Sequence, residues 1–251
     1  MSSPAALPLE QRVQYIRSLY AGFTPAPKPD EVLRIPSRDE GRTIPIHVYR
    51  PDDWNATTPG PVLVNFHGSG FILHLHGADD EFARYVTQRT NFTVLDVGYR
   101  LGPENPFPSA PHDAQDAIDW VLSRPQQFDL SQIALSGFSA GANLVLGASS
   151  HLYPLGTFKH VIAFYPPTDL ETVPAAKTAP SPTEDSDDAW IPNTFDEAYI
   201  PNGVDKKGPL LSPTYTAADQ FPNSLLFVTA AQDILAHEAE ALAEKIRAQR
   251  G

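Results

Sequence analysis

The 251-residue chain has no cysteine, which excludes disulfides, a thiol nucleophile and any cysteine metal site. It is also short of basic residues. Lys and Arg number 18 against 30 Asp and Glu, for a net charge of -12. That balance argues against nucleic acid or an anionic membrane as a partner, since both select for basic patches. No apolar run approaches the ~20 residues of a membrane span. The opening, Met1 to Pro8, lacks the basic start and apolar stretch of a secretory leader, so a cytoplasmic location is the expectation. Asn55-Ala56-Thr57 and Asn91-Phe92-Thr93 match the glycosylation sequon, but such triplets recur by chance, and without a leader they are set aside.

What the chain does have is the composition and length of one ordinary globular domain, 1–251, with 41% apolar residues. Proline is abundant at 26 residues, about twice the usual share. The prolines fall mostly between periodic segments and predict long, stiff loops. Val13, Ile16 and Leu19 give Leu9 to Leu19 an amphipathic helical face. Val32 to Ile35 and Ile44 to Tyr49 read as strands joined by a turn at Asp39-Glu40-Gly41. Buried strands are predicted at Val62 to Phe66, Phe92 to Val97, Ile133 to Leu135, His160 to Tyr165 and Leu225 to Val228. Helices are predicted at Asp79 to Thr90, His112 to Ser123, Ala142 to Ser149 and Ala236 to Ala248. Leu101 to Pro111 holds four prolines and is read as irregular. Asp169 to Lys207 is rich in proline and acid, and its run Glu184 to Asp188 reads as a solvated loop face. From Val62 onward strands alternate with helices. That is an α/β fold, a mostly parallel sheet with helices on both faces, in which reactive groups gather at the carboxyl ends of strands.

Gly137-Phe138-Ser139-Ala140-Gly141 lies between one such strand and helix. A serine at the apex of a strand-turn-helix is presented above the sheet, and flanking glycines relieve a turn too sharp for Cβ atoms. Its hydroxyl needs a base and donors for the developing oxyanion. His67-Gly68-Ser69-Gly70-Phe71 follows the Val62 strand. The amides of Ser69 and Gly70, with that of Ala140 at the next helix N-terminus, are the candidate donors.

These motifs resemble the hormone-sensitive-lipase branch of the α/β-hydrolases, a family of carboxylesterases and lipases. His67-Gly68-Ser69-Gly70 is similar to its His-Gly-Gly-Gly oxyanion motif, and Tyr99-Arg100-Leu101-Gly102-Pro103-Glu104 to its Tyr-Arg-Leu-Ala-Pro-Glu segment. Gly137 to Gly141 resembles its nucleophile elbow, and Asp233-Ile234-Leu235 the site of its catalytic acid. The resemblance implies an α/β-hydrolase fold with an N-terminal cap at 1–29. It also implies a serine carboxylic-ester hydrolase that forms an acyl-enzyme on Ser139, acts on a small-molecule ester and needs no metal or organic cofactor. Three departures stand out. Ser69 replaces a glycine, Phe138 stands where aspartate is frequent, and Gly98 replaces the aspartate before the Tyr-Arg pair.

The family places its catalytic histidine after one more strand beyond the acid. Only His237 follows Asp233, and at the start of a helix it reads as a solvent-facing or capping residue. His67 reads as a brace for its loop. His74 and His76 could bind a metal, but two ligands without a nearby third favour an ordinary loop. His47, His112, His151 and His160 read as surface or satisfied structural residues. Two explanations remain open: a fragment lacking the last strand and the histidine loop, or a chain without its base. The second corresponds to a non-catalytic small-molecule-binding protein on the same scaffold, as in the plant gibberellin receptors that resemble this family. An acyl transferase using the same serine is a third reading. An uncovered Leu225 strand could promote pairing between chains.

Overall fold

In the computed structural model, residues 4–23, 26–182 and 190–250 are described, so the acidic run Glu184 to Asp188 lies outside them. Seven strands form one sheet in the order β1-β2-β4-β3-β5-β6-β7. They are β1 (Glu31–Pro36), β2 (Thr43–Tyr49), β3 (Gly60–Phe66), β4 (Thr93–Val97), β5 (Phe128–Phe138), β6 (His160–Phe164) and β7 (Leu225–Val228). β1, β2 and β4 pair antiparallel, and every pair from β4 to β7 is parallel. The chain runs from β3 outward to β4 and then returns to the other side of β3 for β5. The carboxyl ends of β3 and β5 therefore flank the switch point where such sheets carry ligands.

Strand residues alternate between two apolar layers because successive side chains point to opposite faces. Val62, Val64, Phe66, Leu95, Ile133 and Leu135 face the main core. They pack against α3 (Ser109–Leu122) and α4 (Ala140–Gly147). Leu63, Val94 and Ala134 face a smaller layer under α2 (Asp80–Arg89). The last helix, α6 (Ala236–Arg250), closes over α4 and β6 through Leu242 and Ile246.

The predicted helix at His112 begins three residues earlier and takes in Pro111. A proline in the first turn is tolerated because an N–H there has no intrahelical acceptor. β5 starts five residues before Ile133. Inside the segment read only as proline-rich and acidic lies a further helix, α5 (Trp190–Tyr199). It packs on the N-terminal helix α1 (Leu9–Tyr20) through a cluster of Val13, Ile16, Ile72, Leu73 and Ala198. Leu19, expected on the buried face of α1, is exposed.

Candidate active site

Ser139 has φ 49 and ψ -116, a conformation few non-glycine residues adopt. The turn is held by backbone hydrogen bonds on both sides of it, Ser139 N–H to Phe164 O and Asn143 N–H to Ser139 O. Both flanking glycines are required by close approach. A Cβ on Gly137 would sit 2.3 Å from the Gly141 carbonyl carbon, and one on Gly141 would sit 1.9 Å from the Phe66 oxygen. Ser139 N–H donates to Phe164 O at 2.9 Å, which ties the turn to β6. No described residue hydrogen-bonds the Ser139 hydroxyl.

A cavity of about 200 Å³ opens beside this serine. Gly70, Ala140, Asp233 and Phe195 line it with Ser139. Of these, Ser139, Gly70, Ala140 and Asp233 were singled out in the sequence, and Phe195 was not. Gly70 adopts φ +52, while Ser69 keeps ordinary backbone, so the serine in the glycine's place meets no conformational penalty. Its hydroxyl bonds the Tyr99 hydroxyl at 2.8 Å and accepts from Phe71 N–H at 2.9 Å. The Tyr99 hydroxyl donates to His67 O at 2.6 Å, and its ring stacks on His67 at 4.5 Å. Tyr99 of the Tyr-Arg segment thus braces the loop from below. Arg100 beside it pairs with the fully buried Asp113, which also holds Arg42. Ser69 itself is buried and lines the loop rather than the cavity. The N–H groups of Ser69, Gly70 and Ala140 find no acceptor among the described residues.

Asp233 is half-buried, and Leu235 N–H donates to its carboxylate at 2.9 Å. Burial holds its carboxyl above the ordinary range, against the opposing charge of Lys177. No histidine lines the cavity. His237 is exposed on α6, as the sequence implied. His67 is buried, its Nδ1 is 3.1 Å from Gly68 O, and desolvation pulls it down to about 3. His74 is exposed, and Arg17 and Glu104 carry the charges nearest it. His160 pairs with Ser224 at 2.8 Å.

Two expectations need correction. His76 is not paired with His74. It stacks on His47 at 3.9 Å and lies 3.5 Å from Asp96, so a third and a fourth group surround it. His47 is not a satisfied structural residue: its Nδ1 is buried without a partner, and desolvation lowers it to about 4. The reason is register, which sets His47 opposite Asp96 across β2 and β4. Phe138 does not line the cavity. It stacks on Phe164 at 4.4 Å and meets Phe82 of α2 edge-on.

The sequence also missed the charged wall of the cavity. Lys177 pairs with Glu238 at 2.7 Å and donates to Asp169 O, and its side chain is only 6% exposed. Asp196 on α5 lines the same space, and burial raises its carboxyl to about 6. No local pattern announces either residue, because α5 arrives from a segment without a clean apolar period. The N-terminal helix α1 lines none of this cavity. It supports α5 and the loop after β3, and α5 supplies the covering residues Phe195 and Asp196.

A model of a family described as having the alpha/beta hydrolase fold matches residues 63–251. The ethyl acetate hydrolase of Pseudomonas putida is 30% identical over 64% of this chain and 52% of its own. The carboxylesterase NlhH of Mycobacterium tuberculosis is 31% identical over 74% of this chain and 59% of its own. This chain therefore spans less than two thirds of the length of these relatives. Among solved structures, a hyperthermophilic esterase from the archaeon Pyrobaculum calidifontis superposes with a TM-score of 0.75 at 26% identity, over 99% of this chain and 80% of that one. With three quarters of its length under the family model and its strand-turn-helix at Ser139 and its sheet order in place, the chain belongs to the α/β-hydrolase fold family, in the hormone-sensitive-lipase-like branch.

Proposed function

We propose that the chain carries the nucleophile and oxyanion site of a serine carboxylic-ester hydrolase. The observation that carries this reading is the placement of Ser139 in the elbow, facing a cavity shared with Gly70 and Ala140. Ser139 Oγ attacks the ester carbonyl and forms the acyl-oxygen bond. The carbonyl oxygen takes the charge and accepts from the Ser69, Gly70 and Ala140 N–H groups, with the α4 dipole adding to the last. Collapse expels the alcohol, and water then releases the acid and restores the serine. The Ser139 proton needs an imidazole that Asp233 would orient and that would return it to the leaving alcohol, and none of the eight histidines of this sequence occupies that place. A cavity of about 200 Å³ is smaller than the roughly 300–1,000 Å³ of sites for drug-sized ligands, which suits short acyl and alcohol groups. The ethyl acetate hydrolase among the relatives is in keeping with that size.

One observation favours a second reading, a non-catalytic binder of small molecules: none of the eight histidines lines the cavity. A single experiment separates the two. The 251-residue chain and Ser139→Ala are incubated with a fluorophosphonate, and p-nitrophenyl acetate hydrolysis is followed with and without added imidazole. The hydrolase reading expects labelling at Ser139 and an imidazole-dependent rate above background that disappears in the variant. A chain that is not labelled and gains no serine-dependent rate is not a serine hydrolase.

A further inference from the structure

A row of polar side chains crosses the sheet beneath the oxyanion loop. Register places Ser136 of β5 beside Asn65 of β3, Asn65 beside Asp96 of β4, and Asp96 beside His47 of β2. Ser136, Asn65 and Asp96 are each fully buried. Ser136 Oγ donates to Asn65 Oδ1 at 2.7 Å, and Asn65 Nδ2 donates to Asp96 Oδ1 at 2.9 Å and to Asp79 Oδ2 at 2.8 Å. Such a ladder is costly in an apolar sheet unless every member is satisfied. It is satisfied at the Ser136 end only. At the other end Asp96 Oδ2 and His47 Nδ1 are both buried, both without a hydrogen bond, and 4.0 Å apart. The Gly77 N–H lies beside the Asp96 carboxylate without completing a bond to Oδ2.

His76 completes the group. Its Nε2 lies 3.5 Å from Asp96 Oδ2 and 3.0 Å from Asp96 O. Its ring occupies the space over residue 98, where a Cβ would come within 2.7 Å of Nδ1. Glycine there is what lets the imidazole reach Asp96. The ligand atoms of His47, His76 and Asp96 all lie within 4.8 Å of one another. The geometry points to a binding site for a zinc-class divalent transition-metal ion formed by His47 Nδ1, His76 Nε2 and Asp96 Oδ2.

Two imidazoles and a carboxylate are the donor set that suits such an ion, and Mg²⁺ or Ca²⁺ would want oxygen ligands. Ligands about 2.0–2.2 Å from a tetrahedral zinc are roughly 3.3 Å apart. The His76–Asp96 pair is already near that spacing, at 3.5 Å. Binding requires His76 Nε2 to give up its proton and its hydrogen bond to Asp96 O, and one ring to tilt out of the stack, because a ligating nitrogen offers a bare lone pair in the ring plane. His47 and His76 side chains are 13% and 20% exposed, which gives an ion a path inward. Further carboxyl groups stand close by, although burial raises both Asp96 and Asp79 to about 7. Asp79 shares Asn65 with Asp96, and Asp80 bonds Tyr49 close to His47. The site is separate from the Ser139 cavity, so it stands whether or not the chain hydrolyses esters.

The test is titration calorimetry of the 251-residue chain with zinc chloride, alongside magnesium chloride and the variants His47→Ala and His76→Ala. Cobalt(II) absorption reports the ligand geometry. One zinc per chain, no magnesium heat, tetrahedral cobalt bands, and affinity lowered about 10-fold or more in each variant support the site. Absence of stoichiometric zinc binding overturns it. So does binding that both variants retain at full strength while keeping the parent circular dichroism spectrum, since that places the ion on other histidines. Should either alanine variant not fold, His47→Gln and His76→Gln keep the side-chain volume and are read by the same criterion.

Discussion

Asp196 brings a carboxyl group into the cavity beside Ser139 with no side-chain hydrogen bond to hold its charge among the described residues. Burial raises it to about 6, whereas an aspartate in an unfolded chain titrates near ~3.9. The folded protein therefore binds that proton more tightly than the unfolded chain. Its contribution to stability is complete below pH ~4, declines as pH rises through the interval up to about 6, and stays low above it. Asp196→Asn removes this titration. Urea unfolding at pH 4 and pH 7 should show the variant gaining on the parent by on the order of 1–2 kcal/mol across that interval. Equal differences at both pH values would remove the premise. Ser139, Gly70 and Ala140 were legible in the sequence because the elbow and the glycine-bearing loop are local patterns tied to strand ends. Asp196 and Lys177 were not. Each is an ordinary charged residue whose burial is decided by a helix and a loop that return from far along the chain.

At the scale of elements, one side chain fastens α1 to the site. Arg17 donates to Ile72 O and to Gly102 O, each at 2.9 Å, and pairs with Glu104 through both carboxylate oxygens. It thus links α1 to the turn after the Ser69-Gly70 loop and to the segment that follows Tyr99. Its hydrogen bonds, the largest cause, hold the Glu104 carboxyl down to about 2. A depressed carboxyl contributes stability above pH ~4.5 and loses it as pH falls toward 2. Arg17→Ala should cost about 1–3 kcal/mol and flatten that acid dependence. Hydrogen exchange should quicken over residues 69–75 and 101–105, where Ile72 N–H and Leu73 N–H bond Ser69 O, and stay unchanged in β3 and β5. Uniform acceleration through the sheet would show that Arg17 supports the whole fold rather than this loop. The strands and most helices followed from periodicity. α5 did not, since proline at its third position and buried Thr194, Ala198 and Tyr199 give no recognisable apolar stripe.

Across the whole molecule the two faces of the sheet are covered unequally. Among the described residues, α3, α4 and α6 cover one face, and α2 alone covers the other. Alternation within strands was readable, but which strand lies beside which was not, because a strand's own residues do not encode its neighbour's register. The polar row from Ser136 to His47 is a product of that register, and so is the uncovered apolar area at the far edge. There Ile162 pairs with Leu226 and Phe164 with Val228, on the α2 side. Leu226 is 54% exposed and Val228 36%. β7 is also the last strand of the sheet, with a groove of about 460 Å³ between it and α6. An open edge carrying exposed apolar side chains is a template for another strand. The 251-residue chain should therefore associate with itself as concentration rises, and light scattering after size exclusion should register the increase in mass. Leu226→Lys places a charge on the exposed face without touching the buried Ala142–Leu242 layer. It should shift the population toward monomer while leaving the unfolding midpoint nearly unchanged. A chain that stays monomeric at every concentration would overturn the prediction, and a variant that associates as the parent does would locate the contact elsewhere on the surface.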